Sequence, residues 1–272
     1  MRVVPLCVVM LSGLVAGQVA AQTSPWKAIG SKRSTEYTEG KFEGDTQKTG
    51  SYVERLEVYN LDDGGDTEKD WYRIDMSIES NITKYRDGGV CGWFTDNVRA
   101  AFKLSTSGGE IEDYGPPATI DQGSTGYSVG FGFGSSPKVS ASYSRSQTVP
   151  DAGLKVYRKT TAGTIVWVAS LQGCKPKYGT VGSVVGWQGA SKISKTTYAL
   201  NPSVVVSVPE GAELKFSTKV GSDANSITHT KSKITNAGYK TVSRRATYSF
   251  AYTAKCSRTS CSINRVRSYE TN

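Results

Sequence analysis

"TGYSVGFGFGSSPKVSASYSRSQ", residues 125–147, places Gly or Ser at nearly every second position. Successive side chains of a β-strand point to opposite faces. The stretch therefore reads as two strands. Tyr127, Val129, Phe131 and Phe133 alternate with Ser128, Gly130, Gly132 and Gly134. Val139, Ala141 and Tyr143 alternate with Ser140, Ser142, Ser144 and Ser146. Ser135, Ser136 and Pro137 supply the turn. A hairpin over 123–149 follows, apolar on one face and nearly bare on the other.

Three packings suit such a hairpin. It can close a sandwich core with one face and meet water with the other, but glycine weakens strands and is unusual on an exposed face. Its small face can lie close against another backbone layer. Or it can be one repeat of a membrane barrel, apolar toward lipid and small toward a narrow wet lumen. A barrel strand needs roughly 9–11 alternating residues. Open edges are forbidden in lipid, so the barrel packing needs several chains, each giving one hairpin.

Outward from the hairpin, alternation continues and sustained helical periodicity is nearly absent. "SYVERLEVYNL" sets Tyr52, Glu54, Leu56 and Val58 against Val53, Arg55, Glu57 and Tyr59. "WYRIDMSIES" repeats Tyr72, Ile74, Met76 and Ile78. "VRAAFKLST", "GTIVWVASL", "SVVVSV", "ELKFSTKV" and "RATYSFAYTAK" are further strands. "DYGPPATIDQGS", 113–124, reads as an extended connector into the hairpin, since two prolines do not fit a central strand. The predicted fold class is all-β, a β-sandwich carrying a Gly/Ser-rich amphipathic hairpin.

Residues 1–21 have the pattern of a signal peptide, an apolar run followed by small residues. The sandwich is then expected over 22–272, in an exported protein. Net charge is +9, which attracts anionic surfaces. No zinc spacing, basic helix or RNA-binding motif accompanies that charge, so nucleic acid is not an expected partner. Beyond Cys7, four cysteines remain: Cys91, Cys174, Cys256 and Cys261. In an exported chain they imply two disulfides, for which three pairings exist. Cys256 and Cys261 are spaced to close a small loop, which would leave Cys91 with Cys174.

Catalytic patterns are missing. His229 is the one histidine, and no nucleophile elbow or Cys-His context accompanies it. The acidic turn "LDDGGDTEKD" lacks EF-hand spacing and reads equally well as a hairpin turn, so no metal is expected. The chain is read as a non-enzyme with no cofactor.

The stretch "GEIEDYGPPATIDQGSTGYSVGFGFGSSPKVSASYSRSQTVPD", 109–151, resembles the leukocidin/haemolysin family of β-barrel pore-forming toxins. A strand end, a Pro-containing linker, a "GY-x-[IV]-G"-like strand, a Gly/Ser turn and a Ser/Tyr-rich return strand occur in the family's order. "GTIVWVASL" with Trp167, "LNPSVVVSVPEG" and "ATYSFAYTAK" fall where that family has its apolar Trp strand, its "NPSF"-type strand and its closing strand. Two departures stand out: the hairpin is shorter than the family's stem, and the aromatic rim segment between Trp167 and Asn201 is largely missing.

The resemblance implies a prestem-like hairpin, a homo-oligomer in the active form, and a target membrane lipid or receptor as partner. Tyr127, Val129, Phe131, Phe133, Val139, Ala141 and Tyr143 would face lipid. Ser128, Gly130, Gly132, Ser140, Ser142 and Ser144 would face the lumen. Trp187, and secondarily Trp93, would meet lipid headgroups. The contrasting expectation is a secreted β-sandwich adhesion protein that binds a surface glycan or protein through aromatics and basic charge, without a pore.

Overall fold

The computed structural model describes residues 25–42, 45–61, 68–82, 92–117, 123–132, 140–149, 154–159, 163–171, 175–178, 184–188, 197–230 and 240–271. All regular structure in them is β. In chain order the strands are β1 (Trp26–Phe42), β2 (Asp45–Leu61), β3 (Lys69–Ile82), β4 (Gly92–Leu104), β5 (Glu110–Gly115), β6 (Gly123–Gly132), β7 (Ser140–Val149) and β8 (Leu154–Lys159). They continue with β9 (Thr164–Ser170), β10 (Lys175–Tyr178), β11 (Val184–Gln188), β12 (Thr197–Leu200), β13 (Ser203–Pro209), β14 (Leu214–Thr230), β15 (Lys240–Cys256) and β16 (Cys261–Thr271).

Two six-stranded antiparallel sheets form the body. One, the β3 sheet, runs β1-β2-β3-β13-β5, with β12 also on β3. The other runs β16-β15-β14-β4-β9-β8. The alternating apolar sets face each other between them. Tyr52, Leu56, Tyr72, Ile74, Met76 and Ile78 of the β3 sheet share one core with Phe102, Trp167, Leu214, Phe216, Val220 and Tyr252 of the second. Apolar burial from two inner faces is what makes a sandwich stable.

β12 and β13 form a single line along β3, interrupted at Asn201-Pro202. Leu200 pairs Ile78, and Ser203 pairs Asp75 in the same register. Proline has no N–H to continue the ladder. Its carbonyl still accepts from Met76 N (2.9 Å), and the Ser77 hydroxyl donates to Asn201 Oδ1 (2.7 Å).

One end of the sandwich is stapled. Cys256 and Cys261, opposed at the β15–β16 turn, form a disulfide. Their loop carries Arg258, whose guanidinium donates to the buried Asp70 carboxylate of β3. Asp70 also accepts from Gly211 N (3.0 Å). Gly211 has a φ of 72°, a left-handed conformation that suits glycine. At β1, a Cβ on Gly30 would stand 2.6 Å from Cys261 Cβ, so only glycine lets the two meet. The bridge thus follows the sequence reading, while Cys91 and Cys174 lie outside the described residues. In the acidic turn, Asp62, Asp63 and Asp66 also lie outside them, and Asp70 is an ion-pair partner of Arg258.

The outer face of the β3 sheet also holds buried charge. Arg73 and Asp75 form an ion pair at 3.2 Å, and Asp75 accepts from the Ser203 hydroxyl at 2.6 Å. The guanidinium lies over the rings of Tyr59 (4.1 Å) and Trp26 (5.3 Å), a favourable cation–π geometry.

The connector expectation needs one correction. Asp113–Gly115 belong to β5, where they pair Val205–Ser203 of β13. The two prolines follow the strand instead of interrupting it, which is why a ladder is compatible with "DYGPP".

Candidate functional site

β6 and β7 pair without a bulge, from Gly123 with Val149 to Gly132 with Ser140. Directly opposed residues of an antiparallel pair belong to one face. Val129 stands opposite Tyr143 and Phe131 opposite Ala141. Ser128 stands opposite Ser144, and Gly130 opposite Ser142. The two alternations are therefore in phase, and the small positions of both strands coincide. Phe133 and Val139, at the tip, lie outside the described residues.

The register also sets Arg145 opposite Tyr127. Pairing across the turn, which single-strand alternation does not reveal, places a cation at the base of the apolar face. The uninterrupted apolar pairs begin at Val129–Tyr143.

The ribbon stands apart from the sandwich ladders. β6 and β7 form a two-stranded sheet of their own, hydrogen-bonded to neither six-stranded sheet. The backbone of β6 passes near β5 and β13, and that of β7 near β12. Moving the ribbon as a unit would break no ladder with the body.

Both ends of the ribbon lead to fixed points. On the leading side, Gly115 and Pro116 are buried. Trp167 Nε1, deep in β9, donates to Pro116 O at 3.1 Å. Tyr114 meets the same indole edge-on, with ring centres 6.3 Å apart. On the trailing side the chain reaches Leu154 of β8, which is fully buried in the core. Trp167 thus has a role that apolar alternation does not show: its polar edge pins the start of the connector.

The tryptophans assigned to headgroups sit on different elements. Trp187 is in β11, opposite Pro176 of β10, in a second isolated ribbon. Trp93 is in β4, opposite Ser226 of β14. Strand pairing does not bring them together. His229 is near the far end of β14, opposite Thr241.

Between the sheets lies an acid that alternation assigns to the apolar set. Glu54 of β2 is 1% exposed, and its oxygens lack a well-formed hydrogen bond. Burial pushes its pKa up to about 8, against smaller lowering effects of the Tyr252 hydroxyl and Arg265. Tyr252 itself donates to the Ser34 hydroxyl at 2.5 Å. Glu54 therefore sits as a neutral acid where β2 meets β15.

No protein-family model and no curated protein sequence matches the chain. Among solved structures it is similar to one described as "Pore forming protein". The likeness has a TM-score of 0.57 at 11% identity and covers 89% of this chain and 100% of that one. At that identity it is a likeness of fold alone.

Proposed function

We propose that the chain is a secreted pore-forming protein of cytolysin type, which oligomerises on a target membrane and crosses it with the β6–β7 ribbon. The carrying observation is the ribbon's isolation: it is laddered to neither sheet, yet tied to the core at both ends. Such a segment can leave the body without unfolding it.

Backbone length is compatible with crossing, although the uninterrupted apolar pairs start only at Val129–Tyr143. Ten residues per strand at about 3.4 Å each reach about 34 Å, or about 24 Å when tilted by about 45°. The apolar band of a membrane barrel is about 25 Å tall. One ribbon has two open edges, which lipid does not tolerate. Several copies must therefore join edge to edge as a homo-oligomer.

In that barrel Tyr127, Val129, Phe131, Ala141 and Tyr143, with Phe133 and Val139 at the tip, face lipid. Ser128, Gly130, Gly132, Ser140, Ser142 and Ser144 line the lumen, where small residues keep a narrow bore open. Arg145 then lies toward one interface, where a long cation can reach water. Trp187 and Trp93 are the headgroup candidates. The action is physical, so the proposal assigns no catalytic residue and no cofactor.

Dye release from liposomes, with gels of unheated samples, tests the proposal. The wild type should release dye and form a large species. Phe131→Asp should do neither while remaining a folded monomer. Leakage that persists in Phe131→Asp would sink the assignment of this ribbon.

A further inference from the structure

The two large sheets differ in charge. In sequence the β3 sheet carries both signs, whereas β16-β15-β14-β4-β9-β8 is mostly cationic, its acids being Asp96, Asp223 and Glu270. Six of those cations are exposed at positions alternating with the core residues, and so lie on the outer face: Lys255, Lys215, Lys103, Lys219, Arg99 and Lys155.

The register arranges them as a stripe. Lys255 of β15 is directly opposite Lys215 of β14. Lys103 of β4 is opposite Ser217, so it lies diagonally between Lys215 and Lys219. Arg99 is opposite Gly221, one step beyond Lys219. Lys155 of β8 is opposite Val168, which is itself opposite Arg99. Diagonal neighbours stand about 7–8 Å apart, and Lys215 to Arg99 spans about 20 Å along the strands. The line thus crosses the sheet obliquely from β15 to β8.

Like charges directly opposed on a sheet are unfavourable, as Lys215 and Lys255 are here. Among the described side chains, Lys215 has a carboxylate nearby, Glu213 at 3.3 Å, in the turn before β14. Arg99 also donates to Asn97 Oδ1 at 3.0 Å. The positions between the cations are small, as at Ala101, Ser217, Gly221 and Val168, so the stripe is low in relief.

We infer that this stripe docks a linear polyanion, a sulfated or carboxylated polysaccharide. A row of point charges suits a polymer with repeating charge. Nucleic acid is a poorer fit: single strands stack bases on aromatic rings, and no aromatic alternates onto this face among the described side chains. Five of the six cations are lysines, whereas the planar fork of arginine suits bidentate phosphate. An anionic lipid surface is also a poorer fit, because interfacial sites join cations to large apolar side chains. The β6–β7 ribbon lies near the other sheet, so docking leaves it uncovered. The stripe would concentrate the protein on a glycan-bearing surface independently of the ribbon.

Heparin serves as the probe, with the soluble full chain and no vesicles. Wild-type protein should bind with a steep salt dependence. Lys103→Ala/Lys219→Ala, removing two exposed cations from the middle of the stripe, should weaken binding about tenfold or more near 0.15 M salt. Lys32→Ala/Arg33→Ala on β1, which removes equal charge elsewhere, should weaken it less than about threefold. Equal losses in the two pairs would reduce the effect to net charge and overturn the inference. So would tighter binding to single-stranded DNA, or binding to anionic vesicles that heparin fails to displace. Because the readout needs neither membrane nor leakage, it stands or falls apart from the ribbon's role.

Discussion

The β6–β7 ribbon and the β14–β15 hairpin are made of similar material and hold opposite positions. Both have unbroken antiparallel register, and both are rich in Ser and Thr. β14 and β15, 17 residues each, are laddered outward to β4 and β16 as well as to each other. β6 and β7, ten residues each, are laddered only to each other. The inner face of β14–β15 contributes Leu214, Phe216, Val220 and Tyr252 to the shared core. The difference teaches that hydrogen-bonding partners, more than composition, decide which hairpin can move. Removing β14 would orphan two ladders, and unsatisfied buried backbone groups are expensive. Displacing β6–β7 orphans none.

Matched substitutions should therefore separate the two hairpins. Phe216 is buried in the core and packs on Phe102 at 5.4 Å between ring centres. Phe216→Ala should destabilise the fold by about 3–5 kcal/mol, a large part of the stability of a typical domain. Denaturant unfolding followed by circular dichroism would measure it. Phe131→Arg should leave that unfolding curve nearly in place and abolish dye release. A cation at the bilayer midplane of a barrel strand costs about 2–4 kcal/mol, repeated in every copy. The comparison breaks if Phe131→Arg unfolds the soluble protein as Phe216→Ala does.

The seat of β15 should also respond to pH. Glu54 faces Tyr252 across the sheets, with a pKa of about 8 against an ordinary 4.5. A carboxyl raised in this way holds a proton that the unfolded chain has released. Stability then falls as pH rises from about 4.5 toward about 8 and levels off above it. Between about pH 6 and pH 8 the loss should be about 2 kcal/mol. Glu54→Gln, which stays neutral, should flatten that slope. Melting temperatures across this range would show parallel curves for the two proteins if Glu54 does not titrate there.

Legibility in the sequence followed the packing. Tyr72, Ile74, Met76 and Ile78 stand in a strand covered on one side by the other sheet, and their alternation reads directly as core. β1, β8 and β16 escape such reading. They are edge strands, where a Lys32 opposite Leu56 remains exposed and the pattern blurs. β14 and β15 run longer than their apolar halves, because laddering continues through the polar "SDANSITHT". The ribbon's alternation is visible, yet Arg145 opposite Tyr127 is not, since register belongs to the pair and not to either strand. Alternation puts Glu54 in the apolar set, but its charge gives no sign of burial. The same holds for Trp167. Its apolar strand marks it as core, while its bond to Pro116 joins residues 51 positions apart.

That bond offers the finest test of the contrast between the hairpins. Trp167→Phe keeps an aromatic ring against Tyr114 and removes the donor to the Pro116 carbonyl. A lost hydrogen bond to a buried acceptor costs about 1–3 kcal/mol, so global stability should fall modestly. The informative readout is local. If the indole pins the leading end of the ribbon, limited proteolysis under native conditions should accelerate within 117–153. Cleavage within 214–256 should track only the global change, since β14–β15 is held by ladders on both sides. Equal acceleration in the two regions would mean that Trp167 supports the core generally. Acceleration confined to the ribbon would make residues 114–116 its hinge, with the sandwich as the fixed frame from which it departs.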